Sequence, residues 1–140
     1  MTAAIATDNA QAGWLKIHLL GDATAGAHVY GSILNPEGVL LHIYEAYFYK
    51  SVASAAASTL DIGVNATIDT QDTDMCSALA TNGALGVYKI IGTDLASEGA
   101  ATTPRGVLWA AGSYITFWEQ AGQASTLLVG DLYIHYIRLA

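Results

Sequence analysis

The sequence predicts an all-β fold, an antiparallel β-sandwich of jelly-roll type with about eight strands and at most one short helix, and three observations predict it. Short runs dense in β-branched and aromatic residues alternate sides at period two. Gly, Pro, Asn and Ser collect at the breaks between those runs. Strand-like and helix-like segments never alternate as a parallel α/β sheet would require. An immunoglobulin-like sandwich is the main rival, but the single cysteine, Cys76, cannot supply the disulfide that marks a true immunoglobulin domain.

Residues 1–13, MTAAIATDNAQAG, are small and polar without periodicity and read as a flexible N-terminal arm, which leaves 14–140 as one sandwich domain. WLKIHLL (14–20) sets Trp14, Lys16 and His18 against Leu15, Ile17 and Leu19, and GDATAG follows as a turn. AHVYGSIL (27–34) is closed by Asn35-Pro36-Glu37-Gly38, where Pro presets one turn angle and Gly permits a positive one. VLLHIYEAYFYK (39–50) is the longest candidate; strict alternation puts Leu41, Ile43, Tyr47 and Tyr49 on one face and His42, Tyr44, Ala46 and Phe48 on the other. SVASAAAS is a connecting loop, and STLDIGV (58–64) resumes the strand, with Gly63 suggesting a bend or bulge.

Between 66 and 86 the sequence allows a helix: DTQDTDMCSALATNG offers Asp72 or Asp74 as N-cap, an Ala-Leu body and Asn82-Gly83 as a stop. LGVYKII (85–91), RGVLWAA (105–111), SYITFWEQ (113–120) and STLLVGDLYIHYIRL (125–139) are four further strands. No repeat at solenoid or propeller period is present.

Composition bounds the function. Hydrophobic residues make up 53% of the 140 and charged residues only 12%, so the chain has material for a core and a surface of small neutral side chains. Twelve acids against five bases give a formal charge of −7. The bases Lys16, Lys50, Lys89, Arg105 and Arg138 are scattered, so no basic run exists to neutralise phosphates, and nucleic acid is not expected as a partner. The single cysteine, Cys76, fits synthesis in a reducing cytoplasm, and neither a signal peptide nor a membrane span is recognisable, so secretion by the usual route and membrane residence are not expected.

The candidates for chemistry each have a plainer reading. Asp61 shares a strand face with Thr59 and Gly63, opposite Leu60, Ile62 and Val64, which is what a half-wet strand needs, so it reads as architecture rather than as a general base. Asp69, Asp72 and Asp74 could offer oxygens to a cation, but they lack the calcium-loop spacing and fit an acidic turn or helix start. His18, His28, His42 and His135 fall in four different strand candidates with no pair at close ligand spacing. Cys76 has no neighbouring cation to activate it. Trp14, Trp109 and Trp118 flank strand ends and are the side chains to watch for an interface. No residue is assigned as catalytic, cofactor-binding or metal-ligating, and no cofactor is expected.

The order of an LNPEG turn (34–38), a long strand, an Ala/Ser loop, STLDIGV, an Asp-rich loop, GSYITF (112–117) and LVGDLYIHY (128–136) resembles small virion structural proteins of tailed bacteriophages, in particular jelly-roll capsid decoration or cement proteins. The resemblance spans roughly 27–140 and rests on strand patterning, with no catalytic signature to transfer. It implies a non-enzymatic protein on the outer surface of the virion head, bound to the major capsid protein and stabilising the shell, as a homo-oligomer with a trimer favoured. Separately, an arm such as residues 1–13 could fold on binding and clamp a neighbour. The alternative is a carbohydrate-binding or receptor-recognition sandwich of a tail or fibre; a third reading, a metal-dependent cupin-like enzyme, lacks its histidine cluster.

Overall fold

The computed structural model describes residues 11–91, 101–102, 106–120 and 124–139. Ten strands occur there: β1 (Ala12–Leu20), β2 (His28–Leu34), β3 (Leu41–Val52), β4 (Thr59–Asn65), β5 (Cys76–Ala80), β6 (Gly86–Ile91), β7 (Ala101–Thr102), β8 (Val107–Trp109), β9 (Tyr114–Glu119) and β10 (Val129–Arg138). They form two antiparallel sheets, one in the order β1-β10-β3-β6 with β8 also on β3, the other β2-β9-β4-β5-β7. The pairs β1 with β10, β2 with β9, β3 with β6 and β4 with β5 nest inside one another along the chain. This is a long hairpin rolled so that β10 also meets β3 and β9 also meets β4, the jelly-roll arrangement expected from the sequence.

One core joins the inner faces. Leu41, Ile43, Ala46 and Phe48 of β3 and Leu132, Ile134 and Tyr136 of β10 meet Leu60 and Ile62 of β4 and Ile115 and Phe117 of β9 in a single buried cluster. Burying those side chains is the main favourable term, since each removes apolar area from water.

Three local expectations change. Strict alternation along β3 fails at its midpoint: His135 pairs with Glu45 but Tyr136 with Ile43, so a bulge inserts one residue. Parity then flips, and Ala46, Phe48 and Lys50 point inward with Leu41 and Ile43, while Tyr47 and Tyr49 leave the core. Buried Lys50 donates to the Ala80 carbonyl at 2.5 Å, with its Nζ 4.8 Å from the Tyr88 ring centre.

The helix allowed between 66 and 86 does not form. Residues 76–80 are β5 instead, because the Met75 and β5 backbone finds partners on β4, with Met75 N–H donating to Ile62 at 3.0 Å. The Asp72 carboxylate turns the preceding loop by accepting from the amides of Thr73 and Asp74, at 2.6 and 3.0 Å.

The flexible-arm boundary also shifts in part: Ala12 and Gly13 belong to β1, paired with Ile137 and Tyr136. The remainder of the arm, residues 1–10, lies outside the described residues, as does Arg105. The turn before β3 is as expected, with Gly38 at φ +67.

Candidate functional site

Two places gather side chains with chemical potential: one end of the sandwich interior and the outer face of the β1-β10-β3-β6 sheet.

At the interior end, alternation along β9 carries Ile115 and Phe117 into the core and Glu119 after them. Glu119 is fully buried, and neither of its carboxylate oxygens accepts a hydrogen bond of good geometry. Register places His28, the first residue of β2, directly opposite it. Asp22, from the loop between β1 and β2, completes the group: His28 Nε2 lies 3.0 and 2.9 Å from its two oxygens and 3.9 Å from Glu119 Oε2. The other ring nitrogen, Nδ1, is 2.7 Å from the Gly26 carbonyl.

Burial alone would lower the His28 pKa, but the Gly26 carbonyl, Asp22 and Glu119 together hold it above its ordinary value. Tyr30 stands beside this group, and burial raises its phenol well above the ordinary range, against hydrogen bonds to Ser125 and Ser58 and with a weak hydrogen bond to Glu119 and the Glu119 charge adding to the rise. The Asp22 loop is pinned to the chain before β10, with Gly21 N–H donating to Leu128 at 2.9 Å and Asp22 N–H to Ser125 Oγ at 3.3 Å.

The outer face of the other sheet is aromatic. Trp14 stacks on His135 with ring centres 3.9 Å apart, and the Tyr44 hydroxyl is 2.6 Å from His135 Nε2. The next rows hold Lys16, Tyr133, Tyr47 and Lys89, then His18, Asp131, Tyr49 and Val87. Trp14, Tyr44, Tyr49, Val87 and Leu108 are all exposed. Glu45 is held below its ordinary carboxylate range, chiefly by a hydrogen bond from Tyr47, with His135 and Lys89 adding to it.

The sequence candidates fall as follows. Asp61 is fully buried rather than on the wet face expected of it, and its carboxylate is held by donors from three segments. The loop from 66 to 75 covers its side of β4: Gln120 Nε2 donates to both its oxygens at 2.7 and 2.8 Å, Ala78 N–H donates at 2.7 Å, and Gln71 donates as well. Ala78 sits in a bulge of β5 opposite Asp61, at φ 58, so the carboxylate holds a strained amide in place.

Asp72 and Asp74 share a turn, and burial with the Asp72 charge pushes Asp74 up to about 6; Asp69 does not join them in any three-residue ligand group among the described residues. Cys76 is buried, and burial with the Asp61 charge pushes its thiol up to about 12, the opposite of an activated nucleophile.

The tryptophans do not share one surface. Trp109 is core and donates to the Ser113 carbonyl at 3.1 Å, while Trp14 and Trp118 lie on different sheets. Of the histidines, His18 pairs with Asp131 at 2.7 Å, His135 belongs to the outer face, and His28 meets two carboxylates.

Sequence reasoning missed the Asp22, His28 and Glu119 group because its members are 6 and 91 residues apart and meet only through the β2 to β9 register. The one legible signal is that Glu119 continues the inward parity of Ile115 and Phe117.

No protein-family model matches the sequence, and no curated protein matches it. Among solved structures, a chain of one described as the capsid of Ralstonia phage GP4 has a similar fold, with a TM-score of 0.61 over 100% of this chain and 92% of that chain, at 14% sequence identity. The likeness is one of fold.

Proposed function

We propose that this chain is a bacteriophage virion structural protein, of the decoration or cement kind, that binds the outer surface of the head through the major capsid protein and stabilises the shell. The observation that carries the reading is the jelly-roll fold, similar over the full length of this chain to a chain in a phage capsid structure. The exposed Trp14, Tyr44, Tyr49, Val87 and Leu108 on one sheet support it, because a run of apolar side chains on a flat sheet is relieved by burial against a neighbour. Such a protein acts as a homo-oligomer, a trimer in this reading.

The test is co-sedimentation of the purified chain with heads that lack it. Saturable binding, weakened at least tenfold by Trp14→Ala with Tyr44→Ala, is the expected result; no binding at any concentration overturns the reading. The cluster of Trp14, His135 and Tyr44 favours a second reading, a sugar-binding module of a tail or fibre, since exposed rings stack on pyranose faces. A glycan array with hits abolished by Trp14→Ala would select it.

A further inference from the structure

We propose that Asp22, His28 and Glu119 bind a divalent transition-metal ion, of the Zn²⁺ class, that ties the β1–β2 loop to the end of the β2-β9-β4-β5 sheet. The tautomer of His28 carries the argument first. A backbone carbonyl can only accept, so His28 Nδ1, 2.7 Å from the Gly26 oxygen, is the protonated nitrogen. In a neutral ring, Nε2 then presents a lone pair, and it presents it to three carboxylate oxygens, at 2.9, 3.0 and 3.9 Å. Three groups that can only accept, converging on one point, need a positive charge between them. A ring N–H held by a backbone carbonyl is also how metal-bound histidines are commonly oriented.

Glu119 is the second, independent observation. It is fully buried in the sandwich, and neither oxygen has a hydrogen-bond partner of good geometry, with the Tyr30 hydroxyl the one weak donor beside it among the described residues. A buried carboxylate so poorly supplied with donors is costly, and coordination is one way to satisfy it. The ligand atoms of the three residues all lie within 4.8 Å of one another. Bonds of about 2.0–2.2 Å in a tetrahedral centre put ligands roughly 3.3–3.6 Å apart, and the His28 distances of 2.9 and 3.9 Å bracket that span. One imidazole and two carboxylates suit zinc or a neighbouring first-row ion, whereas calcium wants six to eight oxygens.

The proposal adds a cross-link to the fold: Asp22 belongs to the connection that leaves one sheet, and His28 and Glu119 to adjacent strands of the other. The competing account is an imidazolium bridging the two carboxylates without any metal.

The experiment uses the untagged full chain, stripped with a chelator and exchanged into metal-free buffer, then titrated with zinc chloride by calorimetry and by thermal unfolding. One zinc per chain and a Tm that rises with the logarithm of zinc concentration are expected, with calcium chloride giving no rise. Glu119→Gln and His28→Gln should each weaken zinc binding at least tenfold, while His18→Gln, in the surface pair with Asp131, leaves it unchanged. Should a variant fail to fold, the wild-type titration still decides. No zinc binding by the wild-type chain would overturn the proposal in favour of the imidazolium bridge; equal binding by folded Glu119→Gln, or an equal response to calcium, would overturn it as well.

Discussion

The fully buried Asp61 carboxylate gathers three separate parts of the chain around one side chain. Its two oxygens take hydrogen bonds from Gln71, Gln120 and the Ala78 amide, so it fastens the 66–75 loop, the end of β9 and the β5 bulge to the centre of β4. Every one of those partners donates, so replacing Asp61 with Asn would set an NH₂ group against donors. Asp61→Asn is expected to cost about 2 kcal/mol, measured by urea denaturation, because a buried polar group loses its matched partners.

Asp74 gives the opposite sign. Burial and the Asp72 charge raise its pKa to about 6 from an ordinary 3.8. Between those values the folded protein holds a proton that the unfolded chain releases, so this contribution is full below about pH 4 and is lost as pH rises through about 6. Asp74→Asn should therefore raise the urea midpoint at pH 7 relative to wild type and leave it nearly unchanged at pH 4. An unchanged midpoint at pH 7 would show that the two carboxylates do not strain the turn.

At the scale of elements, the loop over β4 is the least obvious part of the fold. Gly63 lies beneath it, and a Cβ there would come within 2.6 Å of the Asp72 backbone. Gly63→Ala should lift the loop and destabilise the protein by about 1–3 kcal/mol, with faster amide exchange at residues 70–74 as the local signature. Strands were legible where β-formers ran together between turn residues: the runs at 14–20, 27–34 and 58–64 became β1, β2 and β4 to within two residues, and 125–139 became β10 from Val129 onward.

What stayed hidden was long-range. The bulge that flips β3 depends on its pairing with β10, and β5 exists because β4 offers it hydrogen bonds that outweigh the helical preference of an Ala-Leu segment. The Asp22, His28 and Glu119 group is hidden for the same reason, since only the β2 to β9 register brings it together.

For the whole molecule, the nested pairing leaves two unlike faces on the sandwich. One sheet has the β4 and β9 part of its outer side covered by the 66–75 loop, with Asp61 and Thr116 fully buried beneath it. The other presents Trp14, Tyr44, Tyr49 and Val87 in the open. A sandwich with exposed aromatic and apolar side chains along one sheet is suited to lying with that sheet flat on a larger surface, which is the role proposed. The most direct test of that role is quantitative mass spectrometry of purified particles from the source, read as copies of this chain per copy of the major shell protein. A ratio near one is the predicted result; a handful of copies per particle, or none, would contradict it.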